Sequence, residues 1–281
     1  MLEGRDILPS LWGNGMAICI QKGRARMLKN LGIVEVDLAS LDAAGAVSQL
    51  ATQRLAGKRL VEWVVRRVTE SQRLDGVVAL LAEHNLAHSI SAWVPADVPV
   101  FICDREGALR RISEAIKRFP TRAIVRVGVN NAFVDPDLID RLVNIAEANS
   151  DSEYVSYCSA DGCPVALSRM GIFAEWISVS AIHRAERNQA LASEAEDSTR
   201  PFYLHPELFS TQLIPIPSEL DRHDLRFTID NPHDLEQAEQ IVDALGPERL
   251  DWQGIAGLIH HHPHLRQRMA CRERASDALV E

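Results

Sequence analysis

The feature that most constrains this chain is an order repeated along it: a short apolar run, a polar loop, then a helix with one apolar stripe. Residues 123–138, AIVRVGVNNAFVDPDL, show it most fully. Apolar runs of about 4–8 residues separated by stripes of period 3.6 are the trace that parallel strands and their crossover helices leave in a sequence. The runs predict strands at 17–21, 76–81, 99–103, 123–128, 153–157, 164–168, 209–216 and 225–230. The stripes predict the helices between them. Leu60, Val61, Val64, Val65 and Val68 make one, and Leu109, Ile112, Ile116 and Phe119 a second. Leu138, Ile139, Leu142, Val143 and Ala146 make a third, opened by Asp135 as cap and Pro136 at the first helical position. Leu235, Ala238, Ile241, Val242 and Leu245 make a fourth, which Gly246-Pro247 ends. The expected class is α/β, with a mostly parallel, twisted sheet flanked by helices.

No internal repeat or low-complexity linker divides the 281 residues, so a single domain spanning 1–281 is expected. Residues 185–200 read as a polar excursion. Residues 251–281 read as a C-terminal helical tail, packed on the domain or against another subunit, which leaves room for a homodimer. The formal charge of −9 argues against broad nucleic-acid binding, while a local basic pocket for a small anion stays open. Cys19, Cys103, Cys158, Cys163 and Cys271 are odd in number and contain no CxxC pair. They indicate neither a disulfide framework nor a zinc ribbon, and they suit a reducing, cytoplasmic setting. No apolar run reaches the ~20 residues that span a bilayer, so no membrane partner is expected.

Among polar residues Asp230 stands out, because LRFTIDNPHDL delivers it at the end of an alternating run and starts a helix at once. Asp230 or Asn231 would cap that helix, and a strand-end carboxylate could also hold a cation. The loop of 123–138 follows the same plan. Two strand ends in an α/β sheet can bring their loops to one crevice, where ligands bind. His260, His261, His262 and His264 point around a helix end in different directions and lack partners at metal-ligand spacing. Cys158 and Cys163 flank a turn at Asp161-Gly162, and Trp176 reads as packing. His183, Arg184 and Arg187 suit an acidic sugar or a solvated helix face equally.

Three segments together resemble the cytidylyltransferases that activate sugars, in particular the nucleotidyltransferases of spore coat polysaccharide biosynthesis, relatives of the CMP-KDO and CMP-sialic acid synthetases. RLAGKRLVEWVV at 54–65 is similar to their RLPGK-and-helix element, VRVGVNNAFVDPDLIDRL at 125–142 to VRxTGDxPxxDPxLID, and LRFTIDNPHDLEQ to LRxTVDTPEDLE. The resemblance covers about residues 15–250. It implies a Rossmann-like nucleotide-diphospho-sugar transferase fold, a nucleoside triphosphate (CTP by resemblance) and a sugar acid or sugar phosphate as substrates, and Mg2+ as cofactor. By the same carry-over Arg54 and Lys58 contact phosphates, Gly57, Gln21, Arg24 and Asn130 belong to the nucleotide site, and Asp230 with Asn130 holds the metal. The departures are specific. Asn130 stands where the family has its first metal-binding aspartate, Ala132 replaces a proline, and Gly128-Val129 replaces a Thr-Gly pair. With the first strand placed at 17–21, residues 22–53 read as an insertion that splits the phosphate-binding signature. These changes carry a second expectation, a catalytically degenerate protein that keeps the fold as a binding module or scaffold.

Overall fold

The computed structural model describes residues 27–36, 53–188, 191, 197–222 and 224–277, with side chains through residue 270. Its centre is a seven-stranded sheet. β1 (Leu28–Val36), β4 (Gly76–Ala82), β5 (Val100–Cys103), β6 (Thr121–Gly128), β7 (Tyr154–Cys158), β8 (Glu175–Ser178) and β9 (Thr211–Pro215) lie in the order β5-β4-β1-β6-β8-β7-β9. A separate two-stranded hairpin joins β2 (Arg54–Leu55) to β3 (Lys58–Arg59). β8 runs antiparallel to both of its neighbours, and every other pairing in the large sheet is parallel.

The strands are nearly continuous apolar runs because helices cover both faces. On one face Val34, Val36, Leu81, Val125, Val127, Tyr157 and Trp176 pack with α1 (Leu60–Thr69), α4 (Pro136–Ala148), α7 (Pro232–Leu245) and α8 (Trp252–His261). On the other, Leu31, Ile33, Val78, Leu80, Ile124, Tyr154 and Ile177 pack with α3 (Ala108–Arg118), α5 (Val179–Arg187) and α6 (Arg200–Leu204). α2 (Ala87–Ser91) and α9 (Pro263–Asp277) complete the helices among the described residues. The expected stripes are the buried faces: Leu60, Val61, Val64, Val65 and Val68 are all buried, and so are Leu138, Ile139, Leu142, Val143 and Ala146.

Two expected strands and the expected insertion are corrected. An inner strand of the sheet is Leu28–Val36, inside the stretch read as an insertion, while the strand expected at 17–21 lies outside the described residues. A strand buried on both faces does not alternate, and buried Asn30 and Glu35 break its apolar run. Residues 164–168 form a 3-10 turn over Val165–Leu167, joined to the sheet only by a bridge between Cys158 and Pro164. Residues 225–230 enter no ladder. Arg226 and Thr228 are buried beside Leu225, Phe227 and Ile229, so the predicted half-exposed alternation is absent.

Leaving β1, the chain passes through the hairpin and α1 to β4, on one side, and then β5. It next returns to β6 on the opposite side of β1. The reversal of strand order therefore falls between β1 and β6. In open α/β sheets the crevice beyond the carboxyl ends at such a point is where ligands bind.

Candidate active site

At this switch point Glu35 of β1 is paired in register with Gly128 of β6, and Val129 N–H donates to the Glu35 carbonyl at 3.0 Å. The loop that follows is fixed from several directions. Asn131 N–H returns to the Gly128 carbonyl at 3.0 Å, and Ala132 N–H to Asn130 at 3.0 Å. Trp63 of α1 donates its indole N–H to the Ala132 carbonyl at 2.7 Å, and Asn131 Nδ2 donates to the Phe173 carbonyl at 3.2 Å. Ile229 N–H reaches the Asn130 carbonyl at 2.9 Å, which draws the segment carrying Asp230 against this loop.

That segment is held by Arg169, whose carbonyl accepts from both Phe227 N–H (2.9 Å) and Thr228 N–H (3.1 Å). The approach is too close for a side chain between them: at Gly171, φ +61°, a Cβ would lie 2.7 Å from Thr228 N. Asn231 then caps α7, its side chain accepting from His233 N–H and Asp234 N–H, and Pro232 occupies the first turn. Asp230 is thus freed from capping, with a side chain one-third exposed.

The two loops meet side chain to side chain. Asn130 Nδ2 donates to Asp230 Oδ1 at 2.8 Å. Asp230 Oδ2 accepts from Thr228 Oγ1 at 2.8 Å and from Arg226 Nη2 at 3.0 Å. Buried Arg226 is itself gripped by Asp234, Nε to Oδ1 at 2.9 Å and Nη2 to Oδ2 at 2.8 Å. A cavity of about 370 Å³ opens here, lined by Asn130, Asn131, Thr228 and Asp230 at one end and by Arg126, Glu175 and Asp197 at the other. Ser168, Arg169, Gly171 and Phe173 close its side.

The far end is a charge cluster of which only Arg126 falls within a motif quoted from the sequence. Arg126 Nε donates to Glu35 Oε2 at 3.0 Å, Nη1 to Glu175 Oε2 at 3.3 Å, and Nη2 lies 3.5 Å from Asp197 Oδ1. Ser198 Oγ donates to Glu35, Thr199 Oγ1 to Glu175, and the Tyr154 hydroxyl to Glu175 Oε1. Burial opposes the Arg126 charge, but Glu35, Asp197 and Glu175 outweigh it and hold its pKa above the ordinary guanidinium range. Burial pushes the Glu175 carboxyl up, against the pull of Arg126. A legible signal existed for Arg126 alone: a cation in an otherwise apolar run needs a buried partner. Glu175 and Asp197 come from separate parts of the chain and carry no such signal.

Of the residues read from sequence, the fold brings Asn130 and Asp230 into contact. Arg54, Gly57 and Lys58 are on the β2–β3 hairpin, where Gly57 takes φ +79° and its carbonyl accepts from Arg54 Nη1. None of the three lines the cavity. β2 lies against α7, the helix that Asp230 introduces, and the hairpin leads into α1, whose antiparallel return places its start at the carboxyl edge of the sheet. Gln21 and Arg24 lie outside the described residues. Arg184 is committed elsewhere, donating twice to Glu153 at 2.6 Å, and Trp176 is buried with its indole N–H on Asn30 Oδ1 at 2.9 Å.

Among the described residues no group of three or more His, Cys, Asp or Glu side chains could hold a metal unaided. Asn130 and Asp230 offer two donors. Their facing amide nitrogen and carboxylate oxygen are 2.8 Å apart, joined by a hydrogen bond. With the amide turned so that its oxygen faces the carboxylate, the pair would present two oxygens to a hard cation.

The sequence profile of the cytidylyltransferases matches residues 51–256, which take in the hairpin, both loops and the start of α8. The chain belongs to the cytidylyltransferase family. This makes it a nucleotidyltransferase by family, and the structural comparisons agree on the fold. A cytidylyltransferase from Leptospira borgpetersenii superposes with a TM-score of 0.74 at 18% identity, covering 86% of this chain and 98% of that one. A CMP-KDO synthetase complexed with CTP superposes with a TM-score of 0.57 at 8% identity, covering 77% and 99%. In sequence, the spore coat polysaccharide biosynthesis protein SpsF of Bacillus subtilis is 25% identical over 246 residues, 82% of this chain and 96% of SpsF. No helix among the described residues is long and apolar enough to cross a membrane.

Proposed function

We propose that the chain transfers a cytidylyl group from CTP to a sugar acceptor, in the making of a surface polysaccharide or glycan. An acceptor oxygen attacks the α-phosphorus, the bond from that phosphorus to the bridging oxygen breaks, and pyrophosphate leaves. The observation that carries this reading is the junction of Asn130 with Asp230 at the switch point of a cytidylyltransferase-family sheet. Asp230 and Asn130 hold Mg2+, which when bound neutralises charge building on the phosphates. Lys58 and Arg54 bind the β- and γ-phosphates, Gly57 lets the hairpin backbone approach them, and Gln21 and Arg24 remain expected nucleotide contacts. Arg226 and Thr228 fix the Asp230 carboxylate, so that it meets the metal without reorganising. Cys103, Cys158 and Cys163 are free thiols, which supports a cytoplasmic setting.

Titration with CTP, UTP and ATP, each with and without magnesium, tests the reading. CTP is expected to bind best, and only with magnesium. Asp230→Ala is expected to abolish the magnesium dependence, and Lys58→Ala to weaken triphosphate more than monophosphate. Magnesium-dependent CTP binding without pyrophosphate release across sugar acids and sugar phosphates would favour the degenerate binding protein. Asn130 gives that outcome its plausibility, since it brings no negative charge to the metal. Equal affinity of parent and Asp230→Ala for magnesium-CTP would remove Asp230 from the role.

A further inference from the structure

The cavity below Asn130 and Asp230 has a charge pattern that restricts what can enter it. Three guanidiniums, Arg126, Arg169 and Arg226, stand in or directly behind its wall, against five carboxylates: Glu35, Glu175, Asp197, Asp230 and Asp234. At the far end one guanidinium, that of Arg126, serves three carboxylates. The acceptor capacity there is not exhausted. Glu35 is 5% exposed, yet its Oε1 has no hydrogen-bond partner among the described residues. Asp197 has its Oδ1 engaged by Thr199 and Arg126, while its Oδ2 accepts no hydrogen bond among the described residues. Asp197 faces the cavity, and its side chain is about one-third exposed.

We propose that this cavity is the acceptor pocket and that Asp197, with Glu175 behind it, selects a sugar bearing an amine over one bearing a carboxylate. The inference rests on the nucleotidyltransferase reading and narrows its substrate class. An ammonium would place its N–H donors against Asp197 Oδ2 and relieve the excess of negative charge. A carboxylate in the same place would meet like charge and leave more acceptors unpaired. At about 370 Å³ the space is at the small end of ligand pockets, ~300–1,000 Å³, which suits one sugar ring. The acceptor's attacking oxygen would lie toward Asn130 and Asp230, and its body toward Arg126.

Binding of matched sugar 1-phosphates to the full chain, read calorimetrically with and without CTP, tests this. Glucosamine 1-phosphate is expected to bind at least tenfold tighter than its N-acetyl counterpart, and glucose 1-phosphate at least tenfold tighter than glucuronic acid 1-phosphate. In Asp197→Asn, an isosteric change at a partly exposed side chain, both ratios are expected to fall toward one. A thermal melt checks that the variant folds, and Glu175→Gln serves as the second variant if it does not. A uronate that binds as well as the neutral sugar, or ratios unmoved in the folded variant, overturns the proposal. Absence of CTP binding with the amine preference intact would overturn CTP as the donor and leave the selectivity of this pocket standing.

Discussion

At the scale of single residues, two aspartates share Arg226 unequally. Asp234 is 2% exposed and holds the guanidinium bidentately, and it also accepts from Asp230 N–H at 3.0 Å and Asn231 Nδ2 at 2.9 Å. Asp230 gives Arg226 one further contact at the rim. Removing one partner of a buried ion pair leaves an uncompensated charge, so Asp234→Ala is expected to cost about 3–5 kcal/mol. Asp230→Ala leaves the bidentate pair intact, and about 1–2 kcal/mol is expected, the scale of lost hydrogen bonds. Urea unfolding of both variants checks this; equal losses would mean that Arg226 does not depend on Asp234. Asp234 is therefore a buried support of the loop, and Asp230 is the partly exposed carboxylate that faces the cavity. The family resemblance pointed to Asp230, because the motif quotes it, but not to the division of labour with Asp234, which depends on burial. Asn130 and Gly128 show the same limit. In sequence they are two separate departures from the family. In the structure they are linked: a Cβ at Gly128 would lie 2.6 Å from Asn130 Oδ1, so the missing side chain at one position makes room for the amide at the other.

At the scale of elements, the loop carrying Asn130 is positioned by a junction of three helices. Asp135 Oδ1 caps α4 by accepting from Leu138 N–H at 3.0 Å, and Oδ2 accepts from Trp252 N–H at 2.8 Å, where α8 begins. Arg67 of α1 spans the same junction, donating to the Val134 carbonyl and the Leu250 carbonyl, each at 2.8 Å. Asp135→Asn keeps an acceptor for the cap but offers an amide nitrogen where Trp252 needs a second oxygen, and is expected to cost about 1–2 kcal/mol. Asp135→Ala loses cap and tether together, about 2–3 kcal/mol. Hydrogen exchange at the Trp252 amide reports the tether directly, and undiminished protection in Asp135→Asn would refute it. The cap was legible, because Asp-Pro before an apolar stripe is a helix start in itself. The tether was not, because it joins residues far apart in sequence. Helices α1, α3, α4 and α7 were legible for the same local reason. β1 was not, since polar Asn30 and Glu35 lie inside a strand buried on both faces, and only its neighbours reveal why they are tolerated there.

At the scale of the whole molecule, the charge cluster joins β1, β6 and β8 to the 197–199 turn across one face of the sheet, with Tyr154 of β7 closing it. The α/β plan followed from sequence periodicity, and the two loops do converge, although only the one after β6 leaves a strand of the sheet. This cluster did not follow from periodicity, because it depends on strand order, and strand order is a tertiary property. It should be visible in the pH dependence of stability. Burial raises the Glu175 carboxyl pKa above its unfolded value of about 4.3. The stability it contributes is therefore fully present below about pH 4.3 and is lost as pH rises through the raised folded value. Glu153, just before β7, is the opposite case: the Arg184 hydrogen bond lowers its pKa despite partial burial. Its contribution is present above about pH 4.3 and is lost as pH falls through the depressed folded value. Glu175→Gln and Glu153→Gln separate the two. Melting temperatures from pH 3 to 8 should show the gap between parent and Glu175→Gln narrowing as pH rises, and the gap between parent and Glu153→Gln widening over the same window. If the Glu175→Gln curve runs parallel to the parent's, the carboxyl titrates alike in folded and unfolded chains, and the cluster imposes no burial cost on it.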